Sequence, residues 1–323
     1  MHHANHFYGH AHIMARYAGL AEVPRVWGYL QHGWNIIDGF AVGTQFAPVF
    51  PKFVWSDAVR RRGWAMGRRG YHVVASPWAY LLELADQQGW EASRPVREGT
   101  IVYPFHGWEG QLVVGDHDSF VEQIKDVEDG PITVCLYWNE FRQPAIRRAY
   151  EQAGVRVISH GYRGLMWKGT DVYFLDKQLA ELRRHKRVVS NRLSSAIFYG
   201  AAVGCEVGVY GDPMVFEAED PVFGGVERQA RLWPELHQAA VPMDVAREHA
   251  RMELGLDIML EPAELIEVFG WQRAQRGILD LMDDPYEGSM APAGLSLAEP
   301  AGDPALLGDT VLASGDDTDV PNP

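Results

Sequence analysis

Apolar residues recur along this chain in short, strand-length runs separated by polar loops, and most runs are followed by an amphipathic segment. In the first third, Ala11 to Leu20 predicts a helix and Arg25 to Leu30 a strand running into the loop Gln31-His-Gly-Trp-Asn35. A short strand over Lys52 to Trp55, a helix through Trp64, a strand over Tyr71 to Ala75 and a helix over Pro77 to Gln87 follow. Glycine, proline and charge interrupt the pattern from Gly89 to Gly99. It resumes with strands over Thr100 to Tyr103, Ile132 to Trp138 and Val155 to Ser159, and helices over Ser119 to Lys125, Ala145 to Gln152 and Leu175 to His185. Strand–helix alternation with continuously apolar strands predicts an α/β fold whose parallel sheets are covered on both faces. The interruption predicts two domains, residues 1–95 and 96–240, followed by a helical arm over 241–281 and a disordered tail over 282–323.

The densest chemistry lies between Val188 and Asp212: a strand, the polar turn Ser190-Asn191-Arg192-Leu193-Ser194-Ser195, a helix rich in small residues, and a second buried strand. A helix N-terminus exposes unpaired N–H groups and partial positive charge, so a turn of this composition suits a phosphate. In parallel sheets ligands collect beyond the carboxyl ends of the strands, where this turn falls. The plainer alternative is an ordinary strand-to-helix turn capped by Ser194. Three other strand ends carry a His-Gly pair: His32-Gly33, His106-Gly107 and His160-Gly161. Glycine allows a ligand to approach the backbone and histidine exchanges protons near neutral pH, unless these imidazoles only bond neighbouring carbonyls.

Charge changes the picture only once it is located. The formal net charge is −14. Nine acidic residues from Asp283 to Asp319, with no Lys or Arg after Met282, account for much of it. Basic residues cluster at Arg60-Arg-Arg62 with Arg68-Arg69 and at Arg183 to Arg187, without the aromatic interleaving of a base-stacking motif, so nucleic acid is not an expected partner. No apolar run approaches the ~20 residues of a membrane helix, and the first residues lack the order of a signal peptide. With only Cys135 and Cys205, neither a disulfide framework nor a Cys-based zinc site is expected. A cytoplasmic location is the expectation.

The strand end Tyr137-Trp138-Asn139-Glu140, the turn Ser159-His-Gly-Tyr-Arg163, and Val188 to Ser195 with Tyr199 and the strand Gly204 to Tyr210 resemble the nucleotide-sugar domain of GT-B-type glycosyltransferases. The likeness leans toward the capsule and sialyltransferase-like branches of bacterial surface-polysaccharide biosynthesis, and the Gln31-His32-Gly33 loop is similar to an acceptor-domain loop of related polymer transferases. The resemblance covers the middle third of the chain well and the first third loosely. It implies two Rossmann-like domains, a nucleotide-sugar donor and a glycan or lipid-linked acceptor. By the same resemblance Ser194 and Ser195 would hold the donor phosphate, with Ser190, Asn191, Arg192, Tyr199 and Arg163 around the nucleotide. Departures from the pattern leave His106 and His160 competing for one position, leave CMP, CDP, UDP and GDP sugars open, and show no obvious first strand of a complete acceptor domain.

Sugar–phosphate cleavage develops negative charge on the departing phosphate, which prearranged donors stabilise. His32 is the candidate base for an acceptor hydroxyl, with Asp38 behind it, and His106 or His160 the candidate proton donor. Trp34, Trp108 and Glu109, beside His-Gly pairs, are candidate substrate contacts. Inverting displacement without a metal or other cofactor is expected, because Asp116 and Asp118 stand before a helix and suit a cap. Rival expectations are a nucleotide-sugar epimerase of the same architecture, a carbohydrate-binding protein using some of the eleven Trp, and a metal-dependent hydrolase. The last rests on His2, His6 and His10, which an α-helix would align on one face.

Overall fold

The alternating pattern folds into two parallel sheets. In the computed structural model, residues 3–40, 49–90, 95–109, 111–165, 168–217 and 225–272 are described, all within the unit Met1–Gln275. The first sheet contains β1 (Tyr29–Leu30), β2 (Lys52–Val54) and β3 (Tyr71–Val73) in that spatial order. Helices α1 (His10–Tyr17), α2 (Asp57–Ala65) and α3 (Pro77–Gln87) belong to the same stretch of chain. The expected strand from Arg25 pairs only over its last two residues. Its neighbour there is Pro51, which accepts from the Tyr29 N–H through its carbonyl but has no N–H to return.

The second sheet has five strands: β4 (Thr100–Val102), β6 (Ile132–Cys135), β7 (Arg156–Ile158), β8 (Arg187–Ser190) and β9 (Glu206–Val209). Their order is β7-β6-β4-β8-β9, all parallel. The chain therefore winds outward from β4 through β6 to β7, then crosses back to β8 on the other side of β4. That reversal makes a topological switch point between β4 and β8, and loops leaving the carboxyl ends of those two strands diverge around a crevice. Helices α4 (His117–Val127), α5 (Trp138–Phe141), α6 (Pro144–Gln152), α7 (Phe174–Arg184) and α8 (Ser195–Ala202) connect the strands. An antiparallel ribbon of β5 (Val113–Val114) and β10 (Val215–Phe216), which the hydrophobic pattern did not mark, is the one non-parallel pair of strands among the described residues.

Local signals set the helix starts. Ser56, Ser76 and Asp116 each accept an N–H of the first turn of α2, α3 and α4, at 3.3, 3.2 and 2.9 Å. Asp116 thus acts as the cap that its place before a helix suggested. Ser194 occupies the equivalent position of α8 in extended backbone geometry, yet its side chain makes no cap hydrogen bond.

One apolar cluster runs from the first sheet to the second. Trp78 of α3 stacks on Tyr199 of α8 with ring centroids 4.3 Å apart and planes 12° from parallel. Three further helices, α9 (Val226–Leu232), α10 (Met243–Leu254) and α11 (Pro262–Val268), complete the described chain. The last two return to the first sheet: Ser76 N–H donates to the Leu254 carbonyl at 2.9 Å, and Phe269 meets Phe53 edge-on at 4.7 Å. Cys135 and Cys205 are buried free thiols. The acidic segment 282–323 and the end of the expected arm lie outside the described residues.

Helix α8 can lie close on β8 because Gly200 faces Val188: a Cβ at position 200 would overlap Val188 Cγ1. Gly200→Ala should destabilise the protein by about 1–3 kcal/mol through overpacking. Val188→Ala in the same chain should recover most of the loss in urea denaturation, and a neutral single substitution would contradict this close packing.

Candidate active site

Two of the loops singled out in the sequence meet at the switch point of the second sheet. The Asn191 side chain, just past β8, accepts the Phe105 N–H at 2.6 Å from the loop that follows β4 and donates to the Asp212 carbonyl at 2.7 Å beyond β9. Three strand ends are thereby tied to one amide. Arg192, buried beside it, donates to the carbonyl of Pro213 at 2.8 Å and to that of Met214, with the Phe105 ring under its guanidinium. Its charge braces the β10 segment. Ser190 Oγ accepts the Arg192 N–H at 3.3 Å and closes the turn. After this turn comes the N-terminus of α8, with Ser194 and Ser195 half-buried.

The His32 loop of the first sheet reaches the same helix. Trp34 N–H donates to Ser195 Oγ at 2.8 Å, and the Ser195 hydroxyl also bonds the Tyr199 hydroxyl. His32 and Gly33 therefore adjoin the start of α8. Trp34 itself, expected in a cleft, is a core side chain between Phe198 and Trp233, each 5.1 Å away, because its indole N–H is matched inside by Glu253 at 2.9 Å. Both oxygens of Glu253 accept from Arg62, each at 2.6 Å. Asp38, expected behind His32, directs its buried carboxylate to Arg68 and to the Tyr71 hydroxyl at 2.6 Å. Within the loop Asn35 accepts the N–H groups of Ile37 and Gly39 at 2.8 and 3.0 Å. Gly39 adopts φ +68°, where a side chain would collide with the Gly33 carbonyl. Tyr199 lies behind these residues in the core, stacked on Trp78.

The amino-terminal segment fills the space between the His32 loop and the second sheet. The Phe7 ring meets His32 edge-on at 5.7 Å and lies 4.0 Å from the Arg163 guanidinium, while Tyr8 N–H donates to the Arg163 carbonyl at 3.0 Å. Arg163 is ion-paired to Glu109 and donates to the Tyr137 hydroxyl at 3.1 Å. Burial works to raise the Glu109 pKa, but its own main-chain N–H and Arg163 prevail and hold the carboxyl below its ordinary value. His106 is exposed, stacks obliquely on Tyr137 at 4.6 Å and pairs through Nδ1 with the Gly107 carbonyl at 2.8 Å. Trp108 is partly exposed and donates to Gln111 at 3.3 Å. His160 is buried, 2.9 Å from the Tyr103 hydroxyl, and burial pushes its pKa down to about 4, so the imidazole is neutral at pH 7.

Glu140 is a site neighbour quoted in the sequence but given no role there. One oxygen accepts the Gly107 N–H at 2.6 Å, and the other meets no hydrogen-bond partner among the described residues. Its signal was an acidic residue in the short helix α5, which begins three residues after β6 ends. Glu253 and Arg62 had none, because they meet across 191 residues of chain.

The aligned histidine row does not form as an α-helix would make it. His3–Gly9 is a 3-10 helix kinked at Phe7 and Tyr8, and His2 lies outside the described residues. His6 instead faces His12, Nδ1 to Nε2 at 3.4 Å, with burial lowering both pKa values. His10 is buried against Trp55 and Tyr8, and burial holds its pKa at about 3. Among the described residues no group of three or more His, Cys, Asp or Glu is set to hold a metal ion, and no helix is long and apolar enough to cross a membrane.

No protein-family model matches this chain, and no curated protein sequence matches it. Among solved structures it is similar to the wall teichoic acid polymerase TagF, with 11% identity over 69% of this chain and 57% of that one, at a TM-score of 0.34. It is also similar to the UDP-GlcNAc 2-epimerase from Neisseria meningitidis bound to UDP-GlcNAc, with 12% identity over 80% of this chain and 72% of that one, at a TM-score of 0.37. The chain spans about half the length (53%) of the TagF structures it matches first.

Glu253 is 4% exposed and holds both Arg62 and the Trp34 indole. Glu253→Gln should cost about 2–4 kcal/mol in chemical denaturation, because the half-buried Arg62 loses its counter-charge. Replacing both Arg62 and Glu253 by Met should cost much less; an equal loss would assign the effect to packing alone.

Proposed function

We propose that this chain is a glycosyltransferase of GT-B-like architecture that takes a sugar from a nucleotide-sugar donor and passes it to a glycan or lipid-linked acceptor. The observation that carries the proposal is the meeting of the β8 turn, the β4 loop and the His32 loop at the N-terminus of α8, whose Ser194 is not used as a cap. The crevice at a switch point suits a nucleotide, and main-chain N–H groups at a helix start suit its phosphates. The capsule and sialyltransferase-like branch and a cytoplasmic setting belong to the proposal in the same way.

Ser194 and the first-turn N–H groups of α8 would receive the donor phosphate. Ser195 joins the two sheets through Trp34 and Tyr199, and Arg192 and Asn191 hold the turn in shape. The acceptor hydroxyl oxygen attacks the anomeric carbon as the bond from that carbon to the phosphate oxygen breaks, with inversion. His32 takes the hydroxyl proton, and the electron pair leaves with the nucleotide, which His106 can meet at the rim. Trp108 and Glu109 would line the approach, with Arg163 fixing Glu109. His160, neutral and behind Tyr103, supports the rim. No metal is needed for these steps, so activity should survive a chelator.

A thermal-shift screen against CMP, CDP, UDP, GDP and dTDP tests the donor site, since a ligand that binds only the folded state raises Tm. One nucleotide should give a shift that Ser194→Ala removes while Ser195→Ala lowers Tm without ligand. Silence with all five would remove the nucleotide assignment. With the matching nucleotide sugar, His32→Ala should lower transfer at least 100-fold and leave nucleotide binding within about twofold. Conversion of the nucleotide sugar to an epimer with no acceptor present would identify an epimerase instead.

A further inference from the structure

The amino end of the first sheet, away from the loops just described, carries an exposed face of unusual composition. Strands β1, β2 and β3 are parallel, so the residues preceding each of them lie at one end. Helix α2 connects β2 to β3 and must run back, which brings its last turn to that same end. Trp27, Phe50, Trp64 and Met66 stand there, 55%, 41%, 45% and 40% exposed, with Val49 beside Phe50. Contacts between the segments confirm the grouping: Phe50 meets Tyr29 at 6.0 Å, Lys52 N–H donates to the Gly70 carbonyl at 2.8 Å, and Arg69 donates to the Trp64 carbonyl at 3.2 Å.

Arginines are interleaved with these apolar groups. The Arg25 guanidinium lies 5.1 Å from the Trp27 ring and that of Arg60 lies 4.8 Å from Trp64. Arg61 and Arg69 are exposed as well. Asp57, at the start of α2, is ion-paired to both Arg60 and Arg61 and offsets part of their charge, so Arg25 and Arg69 carry most of the positive charge of this face. A chain whose net charge is −14 thus presents one locally basic, apolar-tipped face.

We propose that this face docks on the surface of an anionic phospholipid bilayer. Tryptophan, phenylalanine and methionine side chains enter the headgroup–acyl boundary, and arginines flanking them pair with lipid phosphates. Aliphatic and thioether tips such as Val49 and Met66 add burial in lipid but have no π-face to stack on bases, so the composition favours a bilayer over a nucleic acid. Each segment presents only one or two apolar residues, which is why no single stretch of sequence announced the face.

The full chain should co-sediment with vesicles of phosphatidylcholine plus phosphatidylglycerol, and much less with phosphatidylcholine alone, with a blue shift of tryptophan emission. Trp27→Ser with Trp64→Ser should abolish the shift and most of the binding while Tm stays unchanged, both side chains being exposed. Arg25→Glu and Arg69→Glu should each weaken partitioning at least fivefold, about the effect of one basic side chain at such a surface. Absence of vesicle binding would overturn the proposal, as would binding that all four substitutions leave intact. Binding of an oligonucleotide through these residues under conditions where vesicles are ignored would overturn it too, and would reassign the face to polyanions.

Discussion

A carboxylate as deeply enclosed as Glu253 has to be matched by donors, and the donors it finds fix how the two sheets meet. Arg62 comes from the helix behind the first sheet, Trp34 from the loop at its carboxyl end, and Glu253 from a helix added near the end of the described chain. Water would have satisfied each of these groups separately. Removed from water, they are stable only together. The position of His32 at the start of α8 is consequently set by a residue far downstream. The other end of its loop is held by Asp38, Arg68 and Tyr71.

The elements that depend on local pattern were legible in the sequence. All five strands of the second sheet and helices α4, α6, α7 and α8 follow from apolar runs and their spacing, and the role of Asp116 from its place before a helix, whereas the short α5 forms where the pattern extends a strand to Trp138. The loops at the ends of β4 and β8 could also be placed, since alternation implies parallel strands and parallel strands imply a carboxyl-end rim. What could not be read was partnership across long separations. Asp38 lies next to the histidine loop in sequence yet bonds toward α2 and β3, and Arg192 looked available to an anion but is drawn to carbonyls of the next turn. Trp34 looked like a surface aromatic because its hidden partner is 219 residues away. The amino-terminal histidines do not line up for a local reason: Tyr8 adopts positive φ and Phe7 leaves the helical region, so α-helical spacing does not carry through.

The charge balance of the site follows from those same partnerships. Arg163 is matched by Glu109 and Arg192 by main-chain carbonyls, so these guanidinium groups shape the rim through fixed bonds. An anion meeting this rim would be received mainly by oriented dipoles, the N–H groups and hydroxyl at the start of α8. Dipoles of that kind need no reorganisation when charge arrives, and their strength depends on the exclusion of water more than on ionic strength.

The amide of Asn191 has a consequence that reaches into how such a chain diversifies. It bonds the loops after β4 and β9 while itself belonging to the loop after β8, so three segments share one support. Substitutions around Phe105, Asn191 and Asp212 are therefore not independent, and their effects will not add. A lineage altering what this crevice accepts cannot drift one loop at a time. It must either retain the amide and vary residues further out, at His106 to Glu109, or change all three segments together.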